Sequence, residues 1–202
     1  MKSPITRGRR EQPETAPARS GLGFTLLEMA ATMAILCIMM AVALPQFLNV
    51  VRAYQLAGDA RGVSGQLYLA SLRAANNFTR ARLHLNPAPG GGYDGTYQLQ
   101  LYNQATSQYI PDGTASWNVL SAGVTFSTGQ AQSAPPNSQT TMAETGDIVF
   151  NSRGIPVDPV TFAPIATDVI YVSSRAGTFA VSVSPAGQIS TWQYSQNGWG
   201  QR

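Results

Sequence analysis

Residues 23–47 read GFTLLEMAATMAILCIMMAVALPQF and hold the long apolar run of the chain. From Met29 to Leu44 the only clearly polar residue is Thr32. At about 1.5 Å per residue a helix from Phe24 to Leu44 spans roughly 31 Å, close to the hydrocarbon thickness of a bilayer. The stretch therefore reads as one membrane-crossing helix. It carries a carboxylate, Glu28, near its start. Burying such a charge in hydrocarbon costs on the order of 3 kcal/mol even on mild insertion scales, so Glu28 asks for a partner or a task, the bland alternative being a carboxylate that snorkels to the membrane edge. A cut after Gly23 would supply a partner, because the new amine of Phe24 would lie four residues from Glu28 on one helix face. Glu28 also falls in the first turn, where free N–H groups and the helix dipole favour negative charge.

A secretory signal peptide is the competing reading of this run. Its apolar stretch would be shorter and would end at a small-residue cleavage site, which Ala41 and Ala43 imitate weakly. That reading accounts for neither Glu28 nor the glycine before Phe24. Upstream, residues 1–23 contain Lys2, Arg7, Arg9, Arg10 and Arg19 against Glu11 and Glu14. A basic flank of this kind favours the cytoplasmic side, which sends the bulk of the chain outside. Five bases against two acids leave an excess of three, the same as the +3 of the whole chain; the remainder has eight Arg and eight acids. The segment after residue 23 is thus neutral, and its charge balance does not call for nucleic acid or anionic lipid.

The motif Gly23-Phe24-Thr25-Leu26-Leu27-Glu28 resembles the processing site of type IV pilins and type II secretion pseudopilins. The resemblance implies that prepilin peptidase cuts between Gly23 and Phe24, that Phe24 is then N-methylated, and that Glu28 serves fibre assembly. Pro45 matches a proline common in that family, and on physical grounds it should kink the helix or open its hydrogen bonds locally. The implied partners are the peptidase, other pilin or pseudopilin subunits through the N-terminal helix, an inner-membrane assembly platform and membrane lipid. The implied location is the bacterial inner membrane, crossed once with the N-terminus cytoplasmic and the remainder periplasmic, and afterwards a pilus or pseudopilus.

Past Pro45, apolar residues at Leu56, Val63, Leu67, Ala70, Ala74, Phe78, Ala81 and Leu85 recur at intervals of three, four or seven. This spacing predicts that the helix continues to about Asn86. Gly58, Gly62 and Gly65 fall near one face, where they either admit a close neighbour or merely loosen the helix. Asn86-Pro87-Ala88-Pro89-Gly90-Gly91-Gly92 breaks the pattern, and period-two segments follow. Expected strands are Thr96–Tyr102, Trp117–Leu120, Val124–Ser127, Asp147–Phe150, Val169–Ser173, Thr178–Ser184 and Gln188–Tyr194, with a hairpin turn at Pro185-Ala186-Gly187. The polar tract Ser127–Glu144 reads as a mobile surface loop suited to partner contact. The expected class is α+β, a long N-terminal helix packed on an antiparallel sheet or β-sandwich. Its parts are a leader over 1–23, a membrane and assembly helix over 24–51, an extramembrane half over 52–86 and a β-rich domain over 87–202. Leu120-Ser121-Ala122-Gly123-Val124, Ile148-Val149-Phe150-Asn151-Ser152-Arg153-Gly154 and the closing hairpin are similar to the minor, GspH/FimT-type subunits.

Enzymatic chemistry finds little to use. The single lysine is in the leader, His84 is the only histidine, and Cys37, inside the apolar run, has no second cysteine to pair with. A lysine nucleophile, a multi-histidine metal site and an intramolecular disulfide are thereby excluded downstream of residue 23, and no cofactor is expected. Gly90, Gly92 and Gly95 satisfy G-x-G-x-x-G, but they precede a strand rather than a helix, the wrong context for a phosphate cradle. A second class of function is DNA binding, as in minor pilins of DNA uptake. Arg73, Arg80 and Arg82, with His84, would then form a basic helix end, to which Arg153 and Arg175 add. The opposing reading pairs those arginines with surface carboxylates. A third, weaker possibility is a membrane-anchored extracytoplasmic binding domain.

Overall fold

The computed structural model describes residues 24–113, 116–136, 142, 146–165 and 167–202. Its backbone divides into two compact units, the first ending at Ala43 and the second running from Leu44 to Arg202. Helix α1, Leu26–Asn76, passes through this boundary with Pro45 inside it. In the first unit every described residue from Phe24 to Ala43 is exposed, Met33, Ile38 and Met39 each by more than 60%. Among the described residues, nothing covers this apolar sleeve. It is long and apolar enough to cross a membrane.

In the second unit α1 acquires a buried stripe of Leu56, Ala60, Val63, Leu67, Ala70 and Ala74, spaced three or four apart. The stripe packs into one core with both sheets. Among the described residues, the first sheet has the order β3 (Gln108–Pro111), β2 (Tyr93–Asn103), β1 (Ala81–Pro87), β5 (Asp147–Phe150), β6 (Pro156–Val157), with β4 (Asn118–Val119) also on β2. The second has the order β10 (Gly198–Gln201), β9 (Ile189–Ser195), β8 (Gly177–Val183), β7 (Asp168–Ser174). All these pairings are antiparallel. A bridge between Thr125 and Ser173 joins the segment after β4 to β7. Strand alternation sends Leu83, Leu99, Ile148 and Phe150 of the first sheet and Ile170, Val172, Val181 and Val183 of the second to the shared core. Each such side chain contributes about 1.5–3 kcal/mol of burial. The expected α+β class, a long helix on antiparallel sheets, is the one observed.

The helix stops ten residues before the expected Asn86. Asn77 Nδ2 donates to Arg73 O at 3.0 Å, and Phe78 takes a left-handed φ of 49°. Ala81, Leu83 and Leu85 are then buried as alternate residues of β1, hydrogen-bonded to β2 on one side and β5 on the other. Ala74, Phe78, Ala81 and Leu85 fit a helical interval, yet the ARLHL stretch between Ala81 and Leu85 also alternates strictly. Strand pairing on two edges decides between the periods. Phe78 is accordingly not on a buried face; it is 82% exposed.

Five expected strands lie within one or two residues of β5, β7, β8, β9 and the greater part of β2, and Trp117–Leu120 contains the short β4. Val124–Ser127 is not a strand, although Val124 and Phe126 are buried in the core. Strands β1, β3, β6 and β10 were not expected from the pattern. The turn at Pro185-Ala186-Gly187 closes β8 on β9: Gly187 N–H donates to Ser184 O at 2.8 Å, with a φ of 81° at the glycine. A Cβ there would lie 2.8 Å from Gly154 O, so glycine is required for both reasons.

The Ser127–Glu144 tract is less free than its composition implied. Gln130 N–H donates to Thr178 Oγ1 at 3.1 Å, and Trp199 Nε1–H to Ser133 O at 2.8 Å, which holds its described first half against the second sheet. Residues 137–141, 143 and 144 of the tract lie outside the described residues.

Candidate assembly segment and arginine cluster

Thr25 caps α1. Its Oγ1 accepts the backbone N–H of Glu28 at 3.2 Å, and its carbonyl accepts Met29 N–H at 3.1 Å. Thr25-Leu26-Leu27-Glu28 is the S/T-x-x-E pattern of a capping box, a signal of where the helix begins that the apolar run had obscured. Phe24 thus sits just outside the helix, 75% exposed, and Glu28 lies in the first turn with an exposed side chain. Gly23 lies outside the described residues. Pro45 interrupts one i→i−4 bond, but helix is present on both sides of it.

The arginines do not gather at a helix end. Arg73 is in the last turn of α1, Arg80 in the connection to β1, and Arg82 within β1. Arg73 Nε is 2.9 Å from Asp112 Oδ2. Arg82 Nη1 is 2.8 Å from Asp147 Oδ2, while its Nε donates to Gln100 Oε1 at 2.8 Å. Its guanidinium also lies 4.2 Å from the Tyr109 ring centre. Burial, ahead of the neighbouring charges, pushes the Tyr109 phenol up from its ordinary range. Arg80 instead stacks on two rings, Tyr102 at 3.9 Å and Phe162 at 4.0 Å. Arg153 and Arg175 are in the β5–β6 and β7–β8 turns. Of the five arginines considered for DNA, Arg73 and Arg82 are each paired with a carboxylate.

His84 is on β1, not at a helix end, and its Nδ1 bonds Asp147 Oδ1. Asp147 thereby bridges His84 and Arg82, two residues apart on one face of the strand. Trp117 tilts over the imidazole with ring centres 5.9 Å apart. A histidine held by a carboxylate is part of a hydrolytic relay, but among the described residues no hydroxyl is bonded to His84. No group of three or more His, Cys, Asp or Glu among those residues is placed to hold a metal ion. The glycines at 90, 92 and 95 connect β1 to β2 and enter β2 itself, so the run joins strand to strand.

Residues 19–44 match the family described as the prokaryotic N-terminal methylation motif. No curated protein matches the chain. Two solved structures of the minor pseudopilin EpsH from the type 2 secretion system of Vibrio cholerae are similar to it, at 10% and 11% identity and a TM-score of 0.35 each. The matches cover 73% of this chain and 96% and 92% of those chains. Across the start of α1, where Thr25 caps the helix and Glu28 occupies its first turn, the chain carries a prokaryotic N-terminal methylation motif.

Proposed function

We propose that this protein is a minor pilin or pseudopilin subunit, stored in the inner membrane by α1 and extracted into a type II secretion pseudopilus or a type IV pilus. One observation carries the reading: the methylation motif over residues 19–44 coincides with a helix segment whose apolar side chains are all exposed. In this scheme prepilin peptidase cuts after Gly23, Phe24 is N-methylated, and the Glu28 carboxylate of one subunit pairs with the Phe24 amine of a neighbour. Such a pair offsets the burial of both charges, whereas either alone in a helix bundle leaves an uncompensated ion. Subunit helices then replace lipid around residues 24–50, and Pro45 marks where α1 can bend as it leaves the bilayer.

Glu28→Leu removes the carboxylate and makes the segment more apolar. The variant should insert in the membrane and be processed as before, yet be missing from sheared fibres. Its normal incorporation would overturn the pairing. Mass spectrometry of the mature N-terminus supplies an independent check: a methylated Phe24 is expected, and retention of the first 23 residues in cells with active peptidase would overturn the processing step.

A further inference from the structure

The helix α1 ends in a geometry that glycine normally occupies. Phe78 N–H donates to Ala75 O at 3.3 Å and Thr79 N–H to Ala74 O at 3.1 Å, the paired bonds of a Schellman ending with Phe78 at its left-handed position. A bulky residue is strained there, and a ring that is 82% exposed returns no burial to compensate. The fold gains nothing evident from it. Phe162 repeats the anomaly, with a φ of 57° in the loop after β6. That loop is locked by Asp158, whose Oδ1 accepts the N–H groups of Val160 and Thr161 at 2.9 and 2.6 Å and whose carbonyl accepts Phe162 N–H at 2.9 Å.

Phe162 lies against Arg80, and Phe78 shares a pocket with it. Phe162 and Tyr102 stack on its guanidinium, and Phe78 lines, together with Arg80, Tyr102, Gln104, Asn151 and Ser152, a pocket of about 480 Å³. Unlike Arg73 and Arg82, Arg80 has no carboxylate partner among the described residues. Stacking fixes the plane of the fork and leaves its N–H edges for a planar, bidentate acceptor. Asn151 adds a donor. Its Oδ1 is taken by the N–H groups of Arg153 and Ile155, at 2.9 and 3.1 Å, which orients the amide and leaves its NH2 unpaired among the described residues.

We propose that this pocket docks a carboxylate side chain of a partner polypeptide, the carboxylate on the Arg80 fork and a neighbouring apolar residue on the Phe78 ring. A polyanion suits the site less well. Phosphate-backbone binding draws on several cations at once. Here Arg73 and Arg82 are paired with Asp112 and Asp147, and the chain beyond residue 23 carries as many acids as arginines. A single oriented guanidinium beside an exposed ring matches one acid next to one apolar residue.

The test uses the full chain in detergent micelles and fluorescence anisotropy of a labelled, end-blocked hexapeptide of alternating glutamate and leucine. The same peptide with glutamine for glutamate, and a single-stranded oligonucleotide of six bases, serve as comparators. Saturable binding of the glutamate peptide is expected, weakened about tenfold by the glutamine exchange and by Arg80→Lys, the scale of one charge-assisted hydrogen bond. Arg80→Gln should lose it. Phe78→Gly separates docking from folding: glycine relieves the strained φ, so the melting temperature should rise while peptide binding weakens. Equal binding of the two peptides, undiminished binding by Arg80→Gln, or Phe78→Gly binding unchanged would overturn the proposal. So would an Arg80-dependent preference for the oligonucleotide, which would assign the pocket to nucleic acid.

Discussion

At the scale of single residues, Tyr97 links the helix to the sheets and makes the fold sensitive to alkali. It is 6% exposed, and burial first, then the negative charge of Asp59, raises its phenol above the ordinary 10.0. Asp59 is itself fixed, accepting Ser121 N–H at 2.9 Å and Ser121 Oγ–H at 3.1 Å. A raised folded-state value means that the native state holds its proton more tightly than the unfolded chain does. The stabilisation is complete below the ordinary value and is lost as pH rises through the folded one. Thermal melts followed by circular dichroism should show stability declining above pH 10, with a shallower decline in Tyr97→Phe. At pH 7 that variant should lie within about 1 kcal/mol of the parent. Tyr109, raised in the same direction, accounts for the slope that Tyr97→Phe leaves behind.

At the scale of elements, the three glycines of α1 divide into two kinds. A Cβ on Gly58 or Gly65 meets nothing within 4 Å, whereas one on Gly62 would lie 3.1 Å from Tyr97 Oη. The Tyr97 ring is held edge-on by Phe126, with centres 5.8 Å apart and planes at 85°, and has little room to retreat. Only Gly62 therefore serves close approach between helix and sheet. Gly58→Ala and Gly65→Ala should each stabilise the protein by about 0.5–1 kcal/mol through helix propensity, a gain that crowding cancels in Gly62→Ala. Melting temperatures of the three variants check this order. Much of the element pattern was readable beforehand: β5, β7, β8 and β9 stand out because they alternate and are bounded by turn residues. Strand β1 was concealed, since Ala74, Phe78, Ala81 and Leu85 satisfy a helical interval until the pairing with β2 and β5 is known.

At the scale of the whole molecule, the two units differ in what they expose. Residues 24–43 expose a surface that is apolar apart from Thr25, Glu28 and Thr32, and the unit from Leu44 onward buries its own core. Placing a charge in the middle of the apolar run should affect the first without the second. Leu36→Arg costs on the order of 3 kcal/mol of insertion, so a larger share of the chain should be released by alkaline carbonate from membranes. The melting of the globular unit should remain unchanged, because Leu36 is exposed and outside it. Equal retention of parent and variant would argue against α1 as the anchor.

The amino-acid order by itself determined the apolar segment, the position of Glu28 and the methylation motif, because insertion into lipid and a contiguous motif are properties of neighbouring residues. It also carried the α+β class through the change from helical to alternating period. Only the tertiary structure decided where α1 ends and what the arginines do. Arg82 meets Asp147 across 65 positions, and Arg80 lies against rings from Tyr102 and Phe162. Such pairs form when strands distant in the chain are brought into register, and a linear pattern of charges holds no record of which carboxylate or ring will arrive.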